Sequence, residues 1–409
     1  MNVGSRLAWR NLWRHSRRTW LTVGAMIFCN VLLVFMISLQ LGSYGMMIDN
    51  SLGPFTGHAQ IQHKDYLDDG KMRQSVPAAA ALAQQVRGDI GLESVSARAV
   101  GFALASSEER SFGVQISGVQ AAYEPLVSTL PGLVAQGRYL SESDNDAIVI
   151  GRVLATNLRA TLGDEITFLG SGRDGSFAAG VATVVGIVDS GIDDLDRAMA
   201  HVPLGWFQEV FAMGDHGHQI VIRFADIDAV TPGLAALAPQ LDLGDELVLL
   251  DWDALLPGLR QAITSDMASA WMMYGVLVLL VAFSVLNTQL MSVLERTREF
   301  GVMLALGMKP SRIARLVGME TLMMAALGLS IGVLGGAAVV AYLSVAGFHF
   351  PGMEEMASQF NLPDRIYPEV SALGLLWGPL TVFVMSVFAA LYPALRIFRL
   401  RPVPAMRAV

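Results

Sequence analysis

Four stretches of this chain, 20–41, 271–293, 316–345 and 372–395, are apolar over the roughly 20 residues that a helix needs to cross about 30 Å of hydrocarbon. Three of them hold no charge, and the third holds a single acid, Glu320, near its start. In lipid each backbone N–H and C=O must bond within its own segment, so each stretch is expected to be a membrane helix. Composition agrees: of 409 residues 53% are hydrophobic and 16% charged, where soluble proteins carry about a quarter charged. Trp20, Trp271, Tyr274 and Tyr392 sit near span ends, where amphipathic rings favour the headgroup level.

The first stretch follows Arg14, Arg17 and Arg18, as a signal peptide would. Its apolar run is too long for that, and Phe28 before Cys29 is too bulky for a lipoprotein site, so an uncleaved span is expected. Cys29 is the single cysteine, which excludes an intrachain disulfide.

Half of the 28 Lys and Arg lie in three short segments. These are Arg6, Arg10, Arg14, Arg17 and Arg18 before the first span, then Arg296, Arg298, Lys309, Arg312 and Arg315 between the second and third, then Arg396, Arg399, Arg401 and Arg407 after the fourth. The loop between spans three and four has only Arg365. Basic residues stay inside, so both termini are expected in the cytoplasm of an inner membrane, and the segment 43–268 on the far side. No nucleic-acid partner is expected.

The segment 43–268 is long enough for a domain. Strand patterns fall at 58–62, 112–119, 147–150, 165–169, 181–188, 201–203 and 219–224, and helical patterns at 77–90, 151–160, 204–211 and 226–237. The expectation is an α+β domain, with a second lobe near 95–140. Gly170-Ser171-Gly172-Arg173-Asp174-Gly175 fits G-x-G-x-x-G, but a strand follows it where a nucleotide fingerprint needs a helix, so it reads as a hairpin loop. His216 and His218 lack a third ligand at zinc spacing and read as exposed turn residues. Asp193, Asp194 and Asp196 lack the glycine and closing Glu of a calcium loop and read as a solvated loop. No catalytic arrangement stands out, and no enzyme is expected.

No G-x-x-x-x-G-K-[ST] occurs in the chain, so any ATP would be handled by another polypeptide. Between spans two and three, Glu295, Arg296, Thr297, Arg298 and Glu299 precede a short amphipathic helix from Phe300 and Gly301 to Leu306, closed by Gly307. Its apolar face (Phe300, Val302, Met303, Leu306) suits either a cytoplasmic partner or the membrane interface, and spacing alone leaves the two equal. The N-terminal segment, with Leu7, Trp9, Leu12 and Trp13 among five arginines, reads as a helix lying on the inner membrane surface. Glu320, an acid inside a span, is a functional candidate, but its shallow depth favours a structural role, reaching the interface or pairing with an arginine such as Arg315 or Arg396. Gly328, Gly332 and Gly336 recur every fourth residue, for packing within the chain or for a dimer seam. Asn287, Thr288 and Gln289 can bond across helices.

The stretch Asn287 to Gly301, with Ala305-Leu306-Gly307, resembles the signature of FtsX/MacB/LolCE-type ABC transporter permeases. So do the start (Leu7-Ala8-Trp9-Arg10-Asn11-Leu12, Arg17-Arg18-Thr19) and the ending (Tyr392-Pro393-Ala394-Leu395-Arg396, Arg401-Pro402-Val403, Ala405-Met406-Arg407). Ile148-Val149-Ile150-Gly151, Leu154-Ala155 and Gly163-Asp164-Glu165 are similar to that family's periplasmic core domain. The resemblance implies four transmembrane helices with a large α+β periplasmic domain between helices 1 and 2. Its layout would be an N-terminal helix at 1–18, spans at 19–42, 269–293, 313–346 and 372–395, and the core domain at 43–268. A coupling helix at 294–312, a short periplasmic loop at 347–371 and a cytoplasmic tail at 396–409 complete it. It implies a dimer, homo- or heteromeric, on two copies of a cytoplasmic ABC ATPase that brings ATP and Mg. Glu295 to Gly307 would be the coupling helix, which tips the balance above toward docking. ATP-driven motion would reach the periplasmic domain without substrate crossing the bilayer. The size and the form of 347–368 are similar to the lipoprotein-releasing permeases, which implies work on lipoproteins or similar amphiphiles, with a periplasmic chaperone. MacB-like export of a small hydrophobic molecule and FtsX-like signalling to a periplasmic hydrolase are the alternatives.

Overall fold

A computed structural model of the chain describes residues 3–14, 16–108, 110–349 and 365–399. Arg401 to Arg407, and most of the loop expected at 347–371, lie outside the described residues. The chain divides into a helical unit, Met1–Met46 with Ala262–Val409, and an inserted unit, Met47–Gln261.

Each apolar stretch becomes the centre of a longer helix. The spans are Ser16–Leu52, Pro257–Glu295, Pro310–Ala346 and Ala372–Ile397. A helix of 37 residues is about 55 Å long, so the first span outruns the hydrocarbon. Among the described residues two further helices belong to this unit: an N-terminal helix, Val3–Arg14, and a connecting helix, Thr297–Ala305, between spans two and three. Gly307 at φ +89° makes the turn out of the connecting helix, and Pro310, whose missing N–H costs nothing at a helix start, opens the third span. Ser371 caps the fourth span by accepting the Gly374 N–H.

The first span is the hub of this unit. Met26, Asn30 and Val34 project from it every fourth residue and meet Gly328, Gly332 and Gly336 at the same interval on the third span. A Cβ on those glycines would stand 2.7, 2.4 and 2.7 Å from the Cβ atoms of Met26, Asn30 and Val34. Asn30 Nδ2 donates to the Gly328 carbonyl at 3.0 Å. Without a hydrophobic drive between helices in lipid, such close approach and hydrogen bonding hold the bundle. The glycine face is thus filled by the chain's own first span and is not free for a seam with a second copy. Leu33 packs on Gly378 of the fourth span, and Cys29, Leu33 and Ile37 share a buried cluster with Tyr274, Val281 and Val285 of the second.

The inserted unit is built on one ten-stranded sheet. Its strands are β1 (Ala59–His63), β2 (Val95–Ser106), β3 (Ser111–Val119), β4 (Val134–Gly137), β5 (Ala147–Gly151), β6 (Glu165–Ser171), β7 (Phe177–Val188), β8 (Met199–Pro203), β9 (Gln219–Ile222) and β10 (Leu247–Asp251). They run in the order β10-β1-β9-β2-β3-β8-β5-β7-β4, with β6 against β2 and β7. Helices Ala79–Ile90, Arg152–Leu158, Leu204–Val210 and Val230–Leu237 accompany it. The mixture is α+β, as expected. β1 follows the first span, β10 precedes the second, and the two pair antiparallel from Ala59↔Asp251 to His63↔Leu247. The chain therefore enters and leaves this unit on neighbouring strands.

The second lobe expected near 95–140 does not form: β2 and β3 lie in the middle of the single sheet. β2 escapes a pattern reading because its core-facing residues are small. Ala97, Ala99, Ala103 and Ala105 are buried while Phe102 is exposed. The volume comes instead from Phe207 and Phe211, stacked with centroids 4.4 Å apart; a Cβ on Gly118 would lie 2.4 Å from the Phe207 Cβ.

Two further expectations are corrected. His218 is not an exposed turn residue but fully buried. Its Nδ1 accepts the Val100 N–H at 2.9 Å, its Nε2 faces the Met72 carbonyl at 3.2 Å, and its ring stacks on Tyr66. Asp196 is not in a solvated loop either. It is buried in the helix Asp193–Ala198 and accepts from the Ser190 hydroxyl at 2.6 Å, because the two residues close the turn that starts the helix. The G-x-G-x-x-G segment is the expected hairpin turn, joining β6 to β7 with Gly172 N–H bonded to the Ser176 carbonyl.

Gly332→Val should lower the thermal unfolding temperature in detergent, at a cost of about 1–3 kcal/mol. Gly318→Ala, on the same helix with nothing within 4 Å of the added Cβ, should not. Burial pushes His218 down to about 4, and burial with the neighbouring Arg98 charge pushes His201 to about 3. Both lie below the ordinary value near 6.5, so the neutral forms stabilise the fold fully above pH 6.5. That stabilisation is lost as pH falls from 6.5 toward 4, by about 2 kcal/mol per histidine at pH 5. Unfolding temperatures of the full chain measured between pH 7 and 4.5 should fall with acid. His218→Gln should flatten the slope; an unaltered slope would contradict the assignment.

Candidate functional site

The second span ends at Glu295, and Arg296, at φ −96° and ψ 9°, breaks the helix before the connecting helix starts at Thr297. The break is held from several sides. Thr297 Oγ1 donates to the Val293 carbonyl at 3.0 Å. Phe300 is fully buried with Val293, Ile313, Ala314, Val317 and Ile397, so it joins the connecting helix to both flanking spans and the fourth. Gly301 is buried beside it.

The expected amphipathic face is therefore split. Phe300 and Gly301 point inward, whereas Val302 is 45% and Leu306 83% exposed. Arg298 is exposed and has no ion-pair partner among the described residues. Gly307, Met308 and Lys309 are exposed too. The outward surface is short, apolar and fringed by single positive charges.

Glu320 does not pair with Arg315 or Arg396. Its carboxylate receives Arg296 Nη1 at 3.0 and 3.1 Å, and Asn11 Nδ2 at 2.8 Å. The reason is helical phase. Glu320 shares the buried stripe of Ile313, Val317 and Met324, while Arg315, five residues back, is about 140° around the helix and exposed. The pair is buried, with side chains 9% and 6% exposed. Arg296 also reaches Glu299 at 3.4 Å and lies over the Phe300 ring.

The remaining acids of the segment are gripped from the N-terminal side. Arg14 binds Glu299 at 2.9 Å and Arg18 binds Glu295 at 2.7 Å. Thr22 and Thr288 hydroxyls meet at 3.0 Å. Gln289 is buried, and Asn287 is exposed. Asn11, Arg14, Arg18, Thr288, Gln289, Ser292, Arg296 and Glu320 line a cavity of about 30 Å³, room for one water. The N-terminal helix lays Ala8 and Leu12 into the bundle and keeps Leu7, Trp9 and Trp13 exposed. Its roles toward Glu320 and Glu299 were not visible from composition. The available signal was the matching spacing of Arg14 and Arg18 with Glu295 and Glu299.

Two more polar sites bear on the first span. Toward its far end Tyr44 donates to Asp266 at 2.6 Å, and Gln40 links Asp266 and Tyr274. Inside the inserted unit the segment after Leu52 is stitched down: Arg98 Nη1 donates to the Phe55 carbonyl, Ser128 Oγ to Pro54 and Thr129 N–H to Gly53. Arg98 is itself paired with Glu124 at 2.6 Å, both almost fully buried. Removing one partner of such a pair strands a buried charge at a cost of about 3–5 kcal/mol, so the attachment of this segment is firm. Among the described residues no group of three or more His, Cys, Asp or Glu is placed to hold a metal.

Comparison with known proteins gives this geometry a family. Residues 271–402 match the FtsX-like permease C-terminal family, and residues 19–239, more than half of the chain, match the MacB-like periplasmic core domain. The chain is 24% identical over 319 residues to the lipoprotein-releasing system transmembrane protein LolC of Xylella fastidiosa (strain 9a5c), covering 73% of this chain and 74% of that protein. It is 21% identical over 316 residues to the protein of the same name from Neisseria meningitidis serogroup B, covering 72% and 73%. Among solved structures, the periplasmic region of MacB from Actinobacillus actinomycetemcomitans aligns at 16% identity with a TM-score of 0.37, covering 52% of this chain and 97% of that one. The extracellular domain of the transporter YknZ from Gram-positive bacteria aligns at 16% identity and 0.34, covering 48% and 100%. The chain is a multi-pass membrane protein of four spans and belongs to the FtsX-like permeases with a MacB-like periplasmic core domain, the membrane subunits of ABC transporters, which work with a partner ABC ATPase.

Proposed function

We propose that this chain is the permease of an inner-membrane transporter that works by mechanotransmission on lipoproteins or similar amphiphiles at the outer leaflet. Two copies of a cytoplasmic ATPase dock on the outward surface of the connecting helix. A second permease subunit, identical or related, completes the dimer. ATP and Mg stay on the ATPase. Both termini are cytoplasmic, and the inserted domain is the periplasmic output.

The observation that carries this reading is the split connecting helix. A two-turn helix that lay on the interface would bury its apolar side chains in lipid together. Here Phe300 is spent on holding the helix to the spans, and Leu306 and Val302 stand out with Arg298 and Lys309. A small apolar knob with flanking charge suits a protein pocket, where a central apolar anchor carries most of the binding. The substrate class is supported by the two relatives named as lipoprotein-releasing transmembrane proteins. The second span also keeps Met272, Val276, Leu280 and Phe283 exposed, a stripe available to the second subunit.

Leu306→Glu and Arg298→Glu should each cut co-purification of the ATPase or its stimulation by substrate by at least about tenfold, as loss of a central anchor does. Gly301 is a poorer probe, since it is buried and its substitution disturbs the helix itself. Full coupling in both variants would refute docking at this surface. Mass spectrometry of the complex purified with native lipid should recover an acylated protein; recovery of the ATPase alone would refute the substrate class and leave the docking intact.

A further inference from the structure

The N-terminal end of the connecting helix is surrounded by charges in balance: Arg14, Arg18 and Arg296 against Glu295, Glu299 and Glu320. They join four elements, namely the N-terminal helix, the first span, the second-span end and the third span. The other end is different. Leu306, Met308 and Lys309 are exposed and make no side-chain hydrogen bond or ion pair among the described residues.

We propose that the Arg296–Glu320 pair, completed by Asn11 and Arg14 from the N-terminal helix and Arg18 from the first span, is a positioning bracket that makes the connecting helix rigid with the first and third spans. A push on its exposed end then moves both spans together. The proposal rests on the reading that an ATPase presses on this helix.

Adhesion alone does not account for the pair. Phe300 and its buried neighbours already glue the connecting helix to the spans. A buried ion pair is on balance no better for stability than apolar residues of the same volume, and often worse. What charge adds is direction. Both Glu320 oxygens are within 3.1 Å of one guanidinium nitrogen, and Glu299 and the Phe300 ring hold the rest of that guanidinium. An apolar plug can rotate; this arrangement fits one orientation of the helix break. Asn11 extends the same carboxylate to the N-terminal helix, and Arg14 ties that helix to Glu299 one turn into the connecting helix. Arg18 repeats the tie from the first span to Glu295.

The test separates direction from stability. The double variant Arg296→Met/Glu320→Met, and Glu320→Gln alone, are made in the full chain in nanodiscs, with a nitroxide at Leu306→Cys for mobility and without the label for every ATPase measurement. The double variant should unfold at the wild-type temperature or above it. Its label should nevertheless become more mobile, and substrate stimulation of the partner ATPase should fall by about tenfold, the scale of a typical coupling energy. A label as immobile as in the wild type would overturn the bracket, whatever the ATPase does. A mobile label with no ATPase bound to variant or wild type would uphold the bracket and refute the docking reading instead. If the double variant unfolds, Glu320→Gln is read by the same label: mobile supports the bracket, immobile refutes it.

Discussion

A carboxylate cannot be left unpaired inside a membrane helix without heavy cost, and Glu320 sits on the buried stripe of the third span. Much of the end of the bundle that carries the connecting helix follows from that constraint. The partner is Arg296, which stands where the second span breaks, so neutralising Glu320 also fixes where the connecting helix begins. Glu299 then falls within reach of both Arg296 and Arg14, and the N-terminal helix is drawn in. Phe300 is turned inward by the same geometry, which leaves Leu306 and Val302 as the outward face.

The first span connects this end with the inserted domain. It takes Arg18–Glu295 and Thr22–Thr288 near its start, packs into the glycine groove of the third span at mid-length, and joins the Gln40–Tyr44–Asp266 cluster further on. The helix runs unbroken to Leu52, and the residues after it are bonded to Arg98, Ser128 and Thr129 before β1 begins. β1 then pairs with β10, the strand that leads back to the second span.

The membrane spans were legible because twenty apolar residues have few other uses. The inserted α+β domain was legible from alternation in seven of its strands, while β2, β4 and β10 were missed. In the second half of β2 the buried residues are Ala103 and Ala105 while Phe102 and Leu104 face out, so the strand left no alternating apolar signal. Single buried polar residues were also hidden: His218 and Asp196 read as surface groups because their partners are backbone atoms and a serine supplied by the fold. The depth of Glu320 was readable but its partner was not. The nearby Arg315 lies on the wrong side of the helix, and the right partner, Arg296, comes from the break between the second span and the connecting helix. The N-terminal helix shows the same limit. An amphipathic pattern looks alike whether its apolar side meets lipid or, as with Ala8 and Leu12, the bundle.

The bracket requires that the connecting helix and the N-terminal side of the bundle move as one body. The most direct measurement is the distance between nitroxides at Met308→Cys and Trp13→Cys, both exposed positions outside the docking anchors Leu306, Val302 and Arg298, by pulsed electron spin resonance on the chain with its ATPase. The distribution should be the same without nucleotide and with ATP bound, even as the spans shift. A distribution that moves on ATP binding would mean that the connecting helix swings on its own, and would contradict the account.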